Sequence, residues 1–113
     1  MTRIIPIALL AILAAPAMAD DAMDAFCTSQ GKLAAAIMEG RQIGVPLDKA
    51  LALAAKAESP ADELARGLVL DAYTHPRWTT AAVRELTIRE FGDQVTLTCL
   101  RAVESLRQEG GQP

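Results

Sequence analysis

The side chains here that could do chemistry are few: Cys27 and Cys99, one histidine at position 75, and short acidic runs. Each cysteine has the other as its only intramolecular disulfide partner. Neither lies in a C-x-x-C motif or beside a histidine, so a structural disulfide is favoured over a redox or nucleophilic cysteine. The pair spans 72 positions, for which loop-closure entropy gives on the order of 4 kcal/mol of stabilisation. Asp71 and His75 are four apart and could face one another on a helix. Pro76 ends that helix, however, and no serine or free cysteine joins them in a catalytic motif. Asp62 and Glu63 fit a helix N-terminus better than a convergent carboxylate pair. Asp71, His75 and Asp93 lack the close spacing of a metal-ligand set, and disulfide-bonded cysteines cannot act as thiolate ligands. No catalytic, metal or cofactor residue is therefore assigned. A hydrolase of unknown type stands as the enzyme alternative.

One further segment has recognition chemistry. Tyr73, His75, Arg77 and Trp78 concentrate aromatic, imidazole and guanidinium groups around Pro76. Tyrosine, arginine and tryptophan combine apolar area with directional polar groups, which makes these four residues a candidate protein-binding surface. The competing reading has Tyr73 and Trp78 closing the core at a helix junction while His75 and Arg77 face water.

The compartment follows from the beginning of the chain. Thr2 and Arg3 precede an apolar run from Ile4 to Pro16 that ends in Ala17-Met18-Ala19, the pattern of a signal peptide over residues 1–19. The run is shorter than the roughly 20 residues that span a bilayer and contains Pro6 and Pro16, so no stable membrane insertion is expected after cleavage. The expected mature chain starts at Asp20, retains 94 of 113 residues and carries a formal charge of −4, because Arg3 is lost and all 14 acidic residues remain. A periplasmic location permits the disulfide. The apolar share of 51% is inflated by the leader. The acidic balance, without a basic patch, argues against nucleic acid and anionic lipid as partners. An envelope protein is the expected partner, with the oligomeric state left open.

The elements that position these residues read as an all-α, small four- or five-helix domain stapled by one disulfide, over residues 20–109. A first helix starts near Asp21 or Asp24, where acidic side chains offset the backbone dipole. Met23, Phe26, Cys27, Leu33, Ala34, Ile37 and Met38 lie near one face. Gly31 and Gly40 permit close backbone approach, Gly40 is an alternative stop, and Gly44-Val45-Pro46 is the stronger punctuation. A second helix opens at Pro46 or Leu47 and runs through Ala57, with Leu47, Leu51 and Ala54 packing. Ser59-Pro60-Ala61-Asp62 reads as a capped start, with Pro60 in the first helical position. The helix that follows reaches Ala72 or Tyr73, with Ala61, Leu64, Ala65, Leu68 and Ala72 inward and Gly67 marking a close contact or a weak point. Thr79 or Thr80 caps the next helix, in which Val83, Leu86 and either Ile88 or Phe91 face inward and Gly92-Asp93 ends the unit. Asp93 then caps a last helix to about Glu109 with Val95, Cys99, Ala102, Val103 and Leu106 at helical spacing. Gln94–Cys99 also alternates as a strand would, but the continuing helical period favours a helix. Residues 110–113 read as a disordered tail.

From Phe26 to Cys99 the chain resembles a group of short exported proteobacterial proteins of uncharacterised function. The likeness rests on Cys27-x-x-x-Gly31, Ile37-Met38-x-x-Arg41-Gln42-x-Gly44, Ala72-Tyr73-x-x-Pro76 and Phe91-Gly92-x-x-Val95-x-x-x-Cys99. It implies an exported helical fold with the Cys27–Cys99 pair as a family feature, and it brings no activity. Acid-activated periplasmic chaperones resemble the chain in architecture alone. One histidine is little machinery for a switch near pH 6, although carboxylate protonation at lower pH could loosen the fold. Exported inhibitor or immunity proteins are a second architectural comparison. The expectation is an exported structural or protein-interaction domain, with an acid-stress chaperone and an inhibitor or immunity protein as alternatives.

Overall fold

The computed structural model describes residues 15–57 and 60–110. Among them are four helices and no strand: α1 (Ala15–Ile43), α2 (Leu47–Ala54), α3 (Ala61–Ala72) and α4 (Ala81–Gly110). The fold is the expected small all-α domain with one disulfide, in its four-helix form. Most of the apolar leader, the Ser59 cap and the last three residues of the tail lie outside the described residues.

Two long helices, α1 and α4, run antiparallel and form the frame. Their facing stripes are Cys27, Gly31, Ala34, Met38 and Gln42 on α1, and Ile88, Phe91, Val95, Cys99 and Val103 on α4. Each repeats at three- and four-residue steps. The stripe on α4 corrects the expected inward set. Val83, Leu86 and Leu106 sit one position off the packed phase and are exposed, as is Ala102. On α1, Met23 and Phe26 likewise flank the stripe and remain exposed, whereas Cys27, Ala34 and Met38 are wholly buried.

Gly92-Asp93 does not end a helix, because α4 continues through it. The glycine is there for the helix crossing instead. A Cβ at Gly92 would lie 2.9 Å from the Gly31 carbonyl oxygen and 3.1 Å from Ala35 Cβ. A Cβ at Gly31 would lie 2.9 Å from the Gly92 carbonyl oxygen, and the Thr96 hydroxyl fills the remaining space. Two mid-helix glycines therefore bring the α1 and α4 backbones together, which offsets their poor helix propensity.

Other boundaries move for local reasons. The described part of α1 begins at Ala15 rather than at Asp21 or Asp24. Helix is already present ahead of both acidic residues, where alanine and methionine favour it. The same helix passes Gly40 and stops at Gly44, whose φ is +94°. There the Gly44 N–H donates to the Arg41 carbonyl at 3.2 Å and the Val45 N–H to the Gly40 carbonyl at 2.9 Å, the paired bonds of a Schellman end. Helix α2 closes at Ala54 rather than Ala57, because Lys56 and Ala57 make tighter i→i+3 bonds back to Leu53 and Ala54. Pro60 flanks α3 rather than opening it. Of the predicted tail, Gly110 is helical and is the last described residue of α4.

Helix α3 lies against α1 and also carries α2. Ala34, Met38, Ala72 and Phe91 make one buried cluster, and Ala54, Ala65 and Val69 make the other. Ile37 and Tyr73 pack against both and join them. Of the inward residues expected on α3, Ala65 and Ala72 are buried and Leu68 half-buried, whereas Ala61 and Leu64 are exposed.

Candidate functional site

The connection from α3 to α4 carries the predicted recognition residues, and the C-terminal end of α1 fixes its course. Gln42 is wholly buried. Its Nε2 donates to the Pro76 carbonyl at 2.8 Å, and its Oε1 accepts the Trp78 backbone N–H at 2.8 Å. Next to it, Arg41 Nε donates to the His75 carbonyl at 3.0 Å while the guanidinium lies 5.1 Å from the centre of the Tyr73 ring. One buried amide and one guanidinium thus satisfy backbone groups of a loop that has no ladder of its own. Gln42 was not among the predicted site residues. The signal for it was its place four residues after Met38 on the packed stripe of α1.

The four predicted residues share this loop but divide by environment. Tyr73 is half-buried, donates its hydroxyl to the Val45 carbonyl and faces the space between α1, α2 and α3. His75 packs edge-on against Phe91 with ring centres 5.4 Å apart and faces the other side of α3. Arg77 covers Gly44: its guanidinium would lie 2.9 Å from a Cβ added there. Trp78 has its backbone held by Gln42 and Arg84, with 42% of the residue exposed.

The Asp71–His75 pairing does not form a carboxylate–imidazole couple. His75 Nδ1 lies 3.1 Å from the Asp71 backbone carbonyl, an acceptor for the tautomer protonated at Nδ1. Asp62 accepts the Glu63 backbone N–H at 2.9 Å, a helix-start contact. Among the described residues, no group of three or more His, Cys, Asp or Glu side chains is placed to hold a metal ion.

Cys27 and Cys99 form the disulfide, with their Cα atoms 5.3 Å apart. Further along the same helix pair, Arg107 reaches Asp20 at 3.1 Å, Asp24 at 3.2 Å and Glu104 at 3.3 Å. Burial opposes the charge of Arg107, but the three carboxylates outweigh it and hold the guanidinium pKa above the usual arginine range.

Two hollows lie on either side of α3. The first, about 350 Å³, is bounded by α1, α2 and α3 and lined by small and aliphatic residues including Leu33, Leu53, Ala54 and Ala65. The second, about 650 Å³, lies between α3 and α4 over α1, with Leu68, Phe91 and Val95 among its apolar lining and Glu63 and Asp71 along its α3 side. Four of the thirteen exposed large apolar side chains among the described residues border the two hollows: Leu33 and Leu53 at the first, Phe26 and Leu64 at the second. Sequence reasoning placed Phe26, Leu33 and Leu64 in the core, because helical spacing alone does not separate a packed stripe from the rims beside it.

Fold and site together define a small, disulfide-stapled all-α domain with two apolar hollows flanking its third helix. No family model, curated protein or solved structure matches the chain.

Proposed function

We propose that the mature domain is an exported protein-interaction module that works in the periplasm after removal of residues 1–19. The observation that carries this reading is the distribution of large apolar side chains. A domain with alanine at four of its nine buried hydrophobic positions leaves Phe26, Leu33, Leu53 and Leu64 exposed around concave surfaces. Scattered exposed leucines are ordinary, but large apolar side chains that border a concave apolar surface are a feature of binding surfaces. The disulfide supports export to an oxidising compartment. No helix among the described residues is long and apolar enough to cross a membrane.

The test is recovery of a partner from envelope extract with the oxidised mature domain, in parallel with a Phe26→Ala/Leu64→Ala variant and a Leu33→Ala/Leu53→Ala variant of unchanged helicity. The expected result is a specific protein, retained stoichiometrically and lost with one of the two variants. Failure to retain any protein overturns the reading. So does general protection of unfolded proteins confined to acidic pH, which would place the domain among chaperones instead.

A further inference from the structure

Resting on that interaction reading, we propose that the second hollow receives one amphipathic helix of a partner protein, apolar along one side and carrying lysine or arginine side chains about two turns apart. The apolar surface and the charge of the hollow together select this occupant. Its lining includes Leu68, Phe91 and Val95, while Phe26 and Leu64 stand 48% and 45% exposed at its edges. Glu63 and Asp71 on α3 are eight residues apart, about 12 Å along the helix axis. Neither carboxylate has an ion-pair partner among the described residues, where the salt bridges all belong to Arg107. No lysine or arginine lines the hollow, and its single imidazole, His75, packs against Phe91. The α3 residues that line the hollow therefore carry two carboxylates without salt-bridge partners beside an apolar surface, while Arg66 of the same helix lies outside the lining.

Gly67 adds an independent observation. It lies midway between the two carboxylates and lines the same hollow. A Cβ built there would meet nothing within 4 Å, whereas Gly31 and Gly92 are required by the α1–α4 crossing and Gly44 by its positive φ. Glycine in mid-helix is unfavourable, and at this position no contact within the domain compensates. What it provides is an opening in the α3 wall through which another backbone can come close, as Gly31 provides for α4. A helical occupant follows from the walls themselves. They are helices, with no strand edge among the described residues to pair with an extended peptide. A helix supplies its own backbone hydrogen bonds when laid on an apolar surface.

The probe is a fluorescein-labelled peptide of about 18 residues, designed as a helix with a leucine stripe and lysines eight positions apart; its counterpart carries glutamate in place of lysine. Anisotropy titrations against the oxidised mature domain should show the lysine peptide binding at least about tenfold more tightly, with the gap narrowing as salt is raised. Glu63→Lys with Asp71→Lys should invert the preference. The same two-charge reversal at Glu85 and Glu90, exposed on α4 outside the hollow, should leave the order of the two peptides intact. Gly67→Met, which improves helix propensity and whose Cβ has open space within 4 Å, should weaken the lysine peptide by about tenfold without loss of fold. Equal binding of the two peptides, or indifference to Gly67→Met, overturns the assignment. So does loss of binding on Ala65→Leu in the first hollow with no effect of Gly67→Met. With a partner still recovered from envelope extract, any of these results leaves the interaction reading standing; failure to recover one overturns the interaction reading itself.

Discussion

Replacing Gln42 with leucine tests whether one buried amide holds the α3–α4 connection. The side chain is 0% exposed and makes two 2.8 Å bonds to loop backbone, one to the Pro76 carbonyl and one from the Trp78 N–H. Leucine is of similar volume, so the cavity contribution is small and the loss is polar. Each backbone bond is worth about 1 kcal/mol net, and a partner stranded without water costs about 1–3 kcal/mol. Pro76 and Trp78 are exposed residues, so water can reach part of what Gln42 releases. That places the expected loss near 2 kcal/mol. For a domain of this size it lowers the thermal midpoint by roughly 10 °C. Urea unfolding followed by circular dichroism gives the free energy, and amide exchange at Trp78 should accelerate in parallel.

Gln42→Glu supplies the pH arm of the same test. The carboxyl would be buried, with one oxygen facing the Pro76 carbonyl, so its folded-state pKa rises above the unfolded value. A raised carboxyl pKa means that the folded state prefers the protonated form, which can still donate to Pro76. Stability relative to wild type is then best below the unfolded carboxyl pKa of about 4.3 and falls as pH rises towards 7. A Gln42→Leu midpoint within about 1 °C of wild type, or a Gln42→Glu penalty independent of pH, would refute the assignment of the loop's anchorage to this residue.

Gly92→Ala should destabilise despite alanine's better helix propensity, by about 1–3 kcal/mol, because its Cβ would meet the Gly31 carbonyl oxygen at 2.9 Å; denaturant midpoints decide it. Cys27→Ser should cost on the order of 4 kcal/mol relative to the oxidised protein, and peptide mapping without reduction should recover the Cys27–Cys99 linkage. Arg107, with its pKa raised by Asp20, Asp24 and Glu104, contributes stability that is present below the unfolded arginine pKa and lost only as pH climbs through the still higher folded value. The thermal-midpoint difference between wild type and Arg107→Ala should therefore be the same at about pH 6 and about pH 9 and should shrink with added salt. A difference that disappears by pH 9 would contradict that.

The helical class, the disulfide and the Gly44 stop were legible because each rests on local or covalent chemistry: a 3.6-residue period, two thiols, a glycine before Val-Pro. The phase of α4 was not. Val83, Leu86 and Leu106 are as apolar as the residues that pack, and only the crossing at Gly31 and Gly92 decides which of two adjacent stripes turns inward. That same crossing removes the expected break at Gly92-Asp93. A glycine needed for contact with another helix and a glycine needed to stop its own look alike in one dimension. At the recognition segment the cluster of Tyr73, His75, Arg77 and Trp78 was legible as a set, but the placement of Tyr73 and His75 on opposite sides of α3 depends on how α1, α2 and α4 dock.

The residues of the four short sequence motifs, from Cys27-x-x-x-Gly31 to Phe91-Gly92-x-x-Val95-x-x-x-Cys99, take on a common character in three dimensions. Cys27 and Cys99 staple α1 to α4, Gly31 and Gly92 let the two helices touch, Gly44 ends α1, and Arg41 and Gln42 bind the loop that Tyr73 and Pro76 shape. These are the residues that build the frame. Phe26, Glu63, Leu64, Gly67 and Asp71, which give the second hollow its apolar edge, its charge and its opening, lie outside the motifs. A chain could therefore keep every one of those motifs while the surface it presents to a partner changes. By the same reasoning, Glu63, Gly67 and Asp71 are the positions at which substitutions should alter binding without altering the fold, since Glu63 and Asp71 are exposed without ion-pair partners among the described residues and a Cβ at Gly67 meets nothing within 4 Å.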